Sequence, residues 1–285
     1  MKSISIKNKI DNIKTNGLIF GDALKIMKAL PDHSIDHCIT DPPYNISGYD
    51  HKKKIGWLQS NEYWTKNKNF SKINADWDKF SDNDYVLFTK AWLAEILRIV
   101  KPNGNIIIFG SYHNIYRIGS MLQSLDRKII NSIVWYKRNA FPNVTQRMLC
   151  ESTEHIIWAV NETQKKAKNW TFNYKELKNL NHGVQMRNVW DIPSTPASEK
   201  KYGKHPSQKP IELISRLVTG ASNKGDIIID PFMGSGTLPV VAQMFGRRFL
   251  GIDNNMQYCK LALKRLKSQS SNLFRDLSRK KSTNL

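Results

Sequence analysis

The tightest restriction on this chain's fold is Asp41-Pro42-Pro43-Tyr44, which stops the apolar run Ile35-Asp36-His37-Cys38-Ile39-Thr40 and opens into polar Asn45-Ile46-Ser47-Gly48. Proline has no N–H and a fixed φ, and the residue before it is held extended, so a strand over this run must end there. A strand end bearing an acid, two prolines and an aromatic puts a carboxylate, a carbonyl and a flat ring on one rim. Open α/β sheets place their chemistry at such carboxyl ends. These groups suit a grip on a planar exocyclic amine, whose lone pair is spread into its ring. Acceptors around its hydrogens, here Asp41 and the Pro42 carbonyl, draw that pair back to nitrogen, and Tyr44 offers a stacking face. The same four residues also suit an ordinary strand-ending turn.

A second stretch, Asp226-Ile227-Ile228-Ile229-Asp230-Pro231-Phe232-Met233-Gly234-Ser235-Gly236-Thr237, reads as a strand running into a glycine-bearing turn. A helix over 238–245 and the strand Phe249-Leu250-Gly251-Ile252-Asp253 complete a βαβ-like unit. Gly234 and Gly236 are expected to admit a ligand close to the backbone. No third glycine stands at dinucleotide spacing, and an acid at the strand end repels a pyrophosphate. A cationic, hydroxyl-rich ligand fits that pattern better than a nicotinamide cofactor.

Together the two stretches resemble the amino-methyltransferases of DNA that use S-adenosyl-L-methionine (AdoMet), over residues 20–266 or so. The Asp-Pro-Pro-Tyr half comes first and the Asp-Pro-Phe-x-Gly-Ser-Gly-Thr half last, as in the circularly permuted β group. The resemblance implies an α/β, Rossmann-like fold: a mostly parallel, doubly wound sheet with an antiparallel edge strand and a small target-recognition region. It assigns Asp41, Pro42, Pro43 and Tyr44 to catalysis. Asp22, Ala23, Asp41, Ser207, Gln208, Lys209, Asp230, Pro231, Phe232, Gly234, Ser235, Gly236, Thr237, Asp253 and Asn254 are assigned to AdoMet. Within that set Asp22 lies beside the cofactor's adenine, a role compatible with capping the next helix. Asp253 accepts from both ribose hydroxyls. His205-Pro206-Ser207-Gln208-Lys209-Pro210 is similar to the family's His-Pro-Thr-Gln-Lys-Pro, which carries Ser207 and Lys209 to the carboxylate or ribose side; a plain capped helix start is the other reading.

With 285 residues the chain is long enough to bury a full core, and 44 Lys plus Arg against 24 Asp plus Glu give a net charge of +20. Such a surplus favours a polyanion, nucleic acid being the simplest, although an AT-rich gene also enriches lysine. No apolar run reaches the roughly 18 residues of a membrane span. The three cysteines and seven histidines show neither disulfide nor metal-ligand spacing, so no metal and a cytoplasmic location are expected.

Residues 1–16 read as a loosely held arm. Residues 17–160 form the catalytic half, interrupted by an unpatterned, DNA-facing loop over 47–78. That loop mixes Lys52, Lys53 and Lys54 with Trp57, Tyr63 and Trp64, suiting either a flap that orders on DNA or a solvated loop. Ser81 and Asp84 resemble a capping box before a helix with Tyr85, Phe88, Trp92, Ile96 and Ile99 on one face. Asn139-Ala140-Phe141-Pro142-Asn143 stands where relatives carry Asn-Pro-x-Pro-Asn, which implies Phe141 on the target-base side. Arg147 suits a phosphate. Residues 161–204 read as the target-recognition region, with Gln185 and Arg187 as base readers, or as a peripheral subdomain. Residues 205–268 form the AdoMet half and 269–285 a basic tail.

The reading is thus a DNA adenine-N6 methyltransferase acting on a flipped-out base, with double-stranded DNA as the expected substrate and single-stranded DNA as a second form it could take. Segments such as Ser152-Thr153-Glu154 are similar to adenine methylases that modify GATC. A homodimer and a companion restriction endonuclease belong to the same picture. The alternatives are cytosine-N4 methylation and an inactive DNA-binding protein of the same fold.

Overall fold

The computed structural model describes residues 16–46, 78–140, 142 and 148–282, with side chains as far as residue 269. Lys52, Lys53, Lys54, Phe141, Arg147 and, except for Asp78, the expected loop over 47–78 lie outside the described residues.

The described chain runs β1 Gly17–Phe20, α1 Ala23–Lys28, β2 His37–Thr40, α2 Asp82–Ile99, β3 Asn105–Gly110, α3 Ile115–Ser124, β4 Arg127–Tyr136 and β5 Thr153–Thr163. It continues through α4 Tyr174–Leu180, β6 Val189–Asp191, a 3-10 turn at Ala197–Lys200, α5 Ile211–Ala221, β7 Ile227–Asp230, α6 Thr237–Met244, β8 Arg248–Asp253 and α7 Met256–Ser282. These strands make one sheet in the order β1-β8-β7-β2-β3-β5-β4-β6. β2, β3 and β7 are buried on both faces, which is why they read as continuous apolar runs rather than alternating ones. Cys38, Ile106 and Ile108 point to a layer formed by α1, α2 and α3; Ile39 and Ile107 point to one formed by α5 and α6. Two apolar layers on one sheet hold its carboxyl edge rigid.

Most neighbours are parallel, but β5 runs antiparallel to both β3 and β4, with Gly110 opposite His155. The reversed strand expected at the sheet's margin therefore lies inside it, because β4 and then β6 pair beyond it. The reversal also brings the first residues of β5 to the edge where its neighbours end, and Glu154 arrives beside the end of β3.

Residues 161–204 are less separate than the sequence suggested. β5 continues to Thr163, past the expected boundary after residue 160, and β6 joins the main sheet through Trp190, which is buried in the core. The residues expected as a basic tail continue α7 as far as Ser282. At the start of α2, Ser81 Oγ accepts from the Asp84 N–H at 3.1 Å and donates to the Asp84 carboxylate at 2.6 Å. Asp, one methylene shorter than the Glu of a capping box, takes the hydroxyl. Among the described residues no helix is long and apolar enough to cross a membrane.

Candidate active site

The Asp41-Pro42-Pro43-Tyr44 turn is pinned from three directions. Thr40, the last residue of β2, donates its hydroxyl to Asp230 Oδ1 at 2.9 Å, tying the ends of β2 and β7 together. From α2, the Tyr85 hydroxyl donates to the Pro43 carbonyl at 2.8 Å. Asp78 then accepts from the backbone N–H groups of Asn45 and Ile46 at 2.7 and 2.9 Å, clasping the residues that leave the turn.

The turn meets a buried cluster of charge. Lys209 Nζ lies 2.6 Å from Asp41 Oδ2 and 3.2 Å from Glu154 Oε2, with the lysine side chain only 6% exposed. Lys137 Nζ is 3.2 Å from the other Glu154 oxygen, and the Tyr44 hydroxyl donates to Glu154 Oε2 at 3.1 Å. Burial works against both carboxylates, but the outcomes differ. Glu154, between two ammonium groups, is held below its usual range, whereas burial and the neighbouring Glu154 charge push Asp41 up against the pull of Lys209. Burial alone would discharge Lys209; the two carboxylates instead raise it and keep it charged. Asp41 Oδ1 is buried and has no partner of hydrogen-bond geometry among the described residues, although the Tyr44 hydroxyl, which donates to Glu154, lies near enough to Asp41 to favour its ionised form.

Beside this cluster opens a cavity of about 380 Å³, bounded by the ends of β1, β2, β7 and β8 and by the segment before α5. Phe88 and Phe232, with ring centres 5.8 Å apart, belong to its apolar wall. Its polar lining is acidic. Burial pushes Asp230 up to about 7 and Asp253 up to about 6, although backbone amides donate to both. Asp253 Oδ2 accepts from Gly234 N at 2.9 Å and Oδ1 from Asn255 N at 2.7 Å.

Comparison with known proteins fits this geometry. The family model described as DNA methylase, of the N6/N4 type, matches residues 35–264. The chain belongs to the DNA methylase family. It is 39% identical over 254 residues to Type II methyltransferase M2.DpnII of Streptococcus pneumoniae, covering 89% of this chain and 90% of that protein. The solved M1.HpyAVI–SAM complex is 26% identical, with a TM-score of 0.60, covering 87% of this chain and 98% of the other. PvuII DNA methyltransferase, cytosine-N4-specific, shares the fold at 16% identity and a TM-score of 0.66, covering 88% and 86%. The protein is an AdoMet-dependent DNA methyltransferase, and its sheet is the fold of that class.

The methylase's donor set fits AdoMet. That ligand brings a positive sulfur, an ammonium and several hydroxyl and amine donors, and the cavity answers with carboxylates and an apolar wall. Asp22, Ala23, Asp41, Ser207, Gln208, Lys209, Asp230, Pro231, Phe232, Gly234, Ser235, Thr237, Asp253 and Asn254 all line it; Pro42, Tyr44 and Gly236 do not. Asp22 also caps α1, accepting from Lys25 N at 2.8 Å.

Protein partners are already in place for several of these residues. Lys209 borders the cavity with its ammonium paired to Asp41 and Glu154. Gly236 has φ +74° and an added Cβ would meet Ala262 Cβ at 2.5 Å, so it admits α7 and not a ligand; at Gly234, φ +49°, the added atom would meet the His205 ring at 2.8 Å. Arg265, buried on α7, donates to the Ser235 hydroxyl at 3.0 Å and to the Thr237 hydroxyl at 2.9 Å, so those hydroxyls help lock the turn.

Three residues escaped the sequence reading of this methylase. Glu154 was quoted only within a similar segment, and His205 and Arg265 had no assigned role. His205 is held down to about 4 by burial and by nearby Lys209 and Arg265, so it is neutral beside the cavity at pH 7. The signal for Glu154 was an acid at the start of an otherwise apolar strand. Gln185 and Arg187 are exposed and are not among the residues lining the cavity.

Proposed function

We propose that this methylase modifies N6 of an adenine rotated out of the duplex, within GATC. The observation that carries the reading is Asp41 Oδ1, a buried acceptor without a partner at the mouth of the cavity. An unpaired buried acceptor is costly unless something arrives to satisfy it, and an exocyclic amine N–H does so. Asp41 Oδ1 and the Pro42 carbonyl accept from that amine and restore its lone pair, and Tyr44 stacks on the base. AdoMet, when bound, supplies an electrophilic methyl group on a positively charged sulfur. The chain's own contribution is alignment and electrostatics: the pinned turn fixes the acceptors, and the phenylalanine wall excludes water.

Asp rather than Ser before Pro-Pro-Tyr favours adenine over cytosine within the family the chain resembles. The charge of +20 supplies the attraction to the DNA backbone, with Gln185 and Arg187 in the recognition region over 161–204, and Lys52, Lys53, Lys54, Phe141 and Arg147 completing the DNA side. A homodimer, a companion restriction endonuclease and a cytoplasmic location complete the proposal.

The test is mass analysis of nucleosides from DNA incubated with enzyme and AdoMet. N6-methyladenine is expected; N4-methylcytosine instead would overturn the choice of base. Sequencing of modified adenines then checks GATC.

A further inference from the structure

We infer that Lys209 and Glu154 are positioning residues for methyl transfer: the ammonium occupies Asp41 Oδ2 so that Oδ1 alone is left for the target amine, and Glu154 anchors both the ammonium and the Tyr44 hydroxyl. The inference rests on the amine-methylation reading above and names what prepares its acceptor.

Distances carry the argument. One ammonium lies 2.6 Å from Asp41 and 3.2 Å from Glu154, and the glutamate also receives Tyr44 at 3.1 Å and Lys137 at 3.2 Å. The two residues that grip and stack in the proposed mechanism, Asp41 and Tyr44, are thus fixed through one shared glutamate. Lys209 is itself held: its carbonyl accepts from the Thr237 hydroxyl at 3.1 Å, and the preceding Gln208 donates to the Glu199 carbonyl at 3.0 Å. The glycine turn of the AdoMet half is therefore linked through Thr237 and Lys209 to the acid of the other half. As a device for stability alone the cluster is poor, because desolvating a charge pair often costs as much as the pair returns, and an apolar substitute would serve. A lysine that neutralises two acids and still leaves one carboxylate oxygen unpartnered makes sense as preparation of that oxygen.

The charged and titratable groups facing Asp41 are Lys209 before α5, Glu154 on β5 with Lys137 behind it, Tyr44 on the same turn and Asp230 at the end of β7; His205 faces Lys209. Lys209 favours the ionised form of Asp41 and Glu154 opposes it. Their removal is therefore expected to shift Asp41 in opposite senses, and an acidic limb of kcat that moves with each shift ties the pair to the working carboxylate.

The experiment compares wild type, Lys209→Met, Lys209→Arg and Glu154→Gln in three measurements: the pH profile of kcat, calorimetric AdoMet affinity, and a carboxyl ¹³C titration of Asp41 in the cofactor-free protein, assigned with Asp41→Asn. Lys209→Met is expected to lower kcat by about 100-fold and to move the acidic limb and the Asp41 titration to higher pH. AdoMet affinity should fall by less than kcat does, because Lys209 borders the cavity but its ammonium is taken up by Asp41 and Glu154. Glu154→Gln should move both to lower pH, and Lys209→Arg should hold them near wild type. Limbs and titrations that stay put, or move the same way in both variants, overturn the inference. So does a loss of AdoMet affinity in Lys209→Met as large as its loss of kcat, which would return Lys209 to the cofactor. If Lys209→Met does not fold, the sign of the Glu154→Gln shift decides alone. Wild type that methylates no base defeats the transfer reading, and the Asp41 titration still judges the positioning role.

Discussion

The two ends of the strand pair β2–β7 carry polar networks of opposite character. At the amino end, the Asn105 N–H donates to His37 Nδ1 at 3.0 Å, so Nε2 bears the proton and donates to Asp226 at 3.0 Å. Asn105 donates to the carbonyls of Thr171 and Ala221, both at 2.8 Å, and accepts from Trp158 Nε1 at 2.9 Å. Every nitrogen and oxygen of the His37 and Asn105 side chains is matched, and although burial works against it Asp226 is drawn below its usual range by the hydrogen bonds from His37 and the Asn223 N–H and by the nearby Arg247 charge together. At the carboxyl end Asp41 keeps an unmatched oxygen, and Asp230 and Asp253 are pushed up to about 7 and about 6 by burial. A closed network stabilises the fold, whereas an open one holds a cost that only a ligand can relieve. Both ends bury polar side chains; the difference is that the His37 and Asn105 groups all have partners whereas Asp41 keeps one oxygen without one.

Substitutions should separate the two. Asp41→Asn is expected to cut methyl transfer by at least about a thousandfold at a smaller cost in urea midpoint than Asn105→Ala, because the amide oxygen still accepts from Lys209 while the charge facing the target amine is lost. Asn105→Ala should do the converse. It strands two carbonyls and an indole N–H, costing about 3 kcal/mol in urea titration, with activity per folded molecule retained. Equal losses of turnover in both variants, at intact stability, would break the division. Gly236→Ala sharpens it, since this residue stands at the functional edge but in a closed contact. Strain at φ +74° and the approach to Ala262 should cost about 2 kcal/mol of stability, and AdoMet affinity of the folded fraction should not change.

What was legible in the sequence was local. Two prolines end β2, two glycines mark the turn before α6, and apolar periodicity locates α2 and most of the strands, because each of these signals is complete within a few residues. Pairing was legible only in part: an antiparallel strand was expected at the margin of the sheet and is present inside it. That β5 runs antiparallel inside the sheet depends on which strands accept it as a neighbour, and only that placement carries Glu154 to Lys209 and Asp41. Lys209 itself was visible as an unusual residue, but a lysine next to a ligand and a lysine next to an acid have the same sequence. Gly236 was likewise flagged for close backbone approach, and the structure adds a left-handed φ and shows Ala262 of α7 at that approach. The last turns of α7 were missed because the sequence after Leu266 carries no sustained apolar period.

The mildest test of the contrast uses pH. Burial raises Asp230 from an ordinary 3.8 to about 7, so between about pH 4 and pH 7 the folded protein keeps a proton that the unfolded chain has released. Stability from this group therefore declines as pH rises through that window and is level above it. Asp226 has the opposite sign: its lowered folded value gives stability that is present above 3.8 and is lost as pH falls through the folded pKa. Asp230→Asn keeps an oxygen for the Thr40 hydroxyl and the Phe232 N–H and removes the proton, so it should raise stability by about 2 kcal/mol at pH 8 and by nothing at pH 4. Asp226→Asn should lower stability at pH 7, by an amount that shrinks as the pH approaches 3. Urea titrations of both variants at pH 4, 6 and 8 check the signs. A gain from Asp230→Asn that is the same at all three would mean that the carboxyl at the working edge does not titrate in this range, and the contrast would then rest on the unmatched Asp41 oxygen alone.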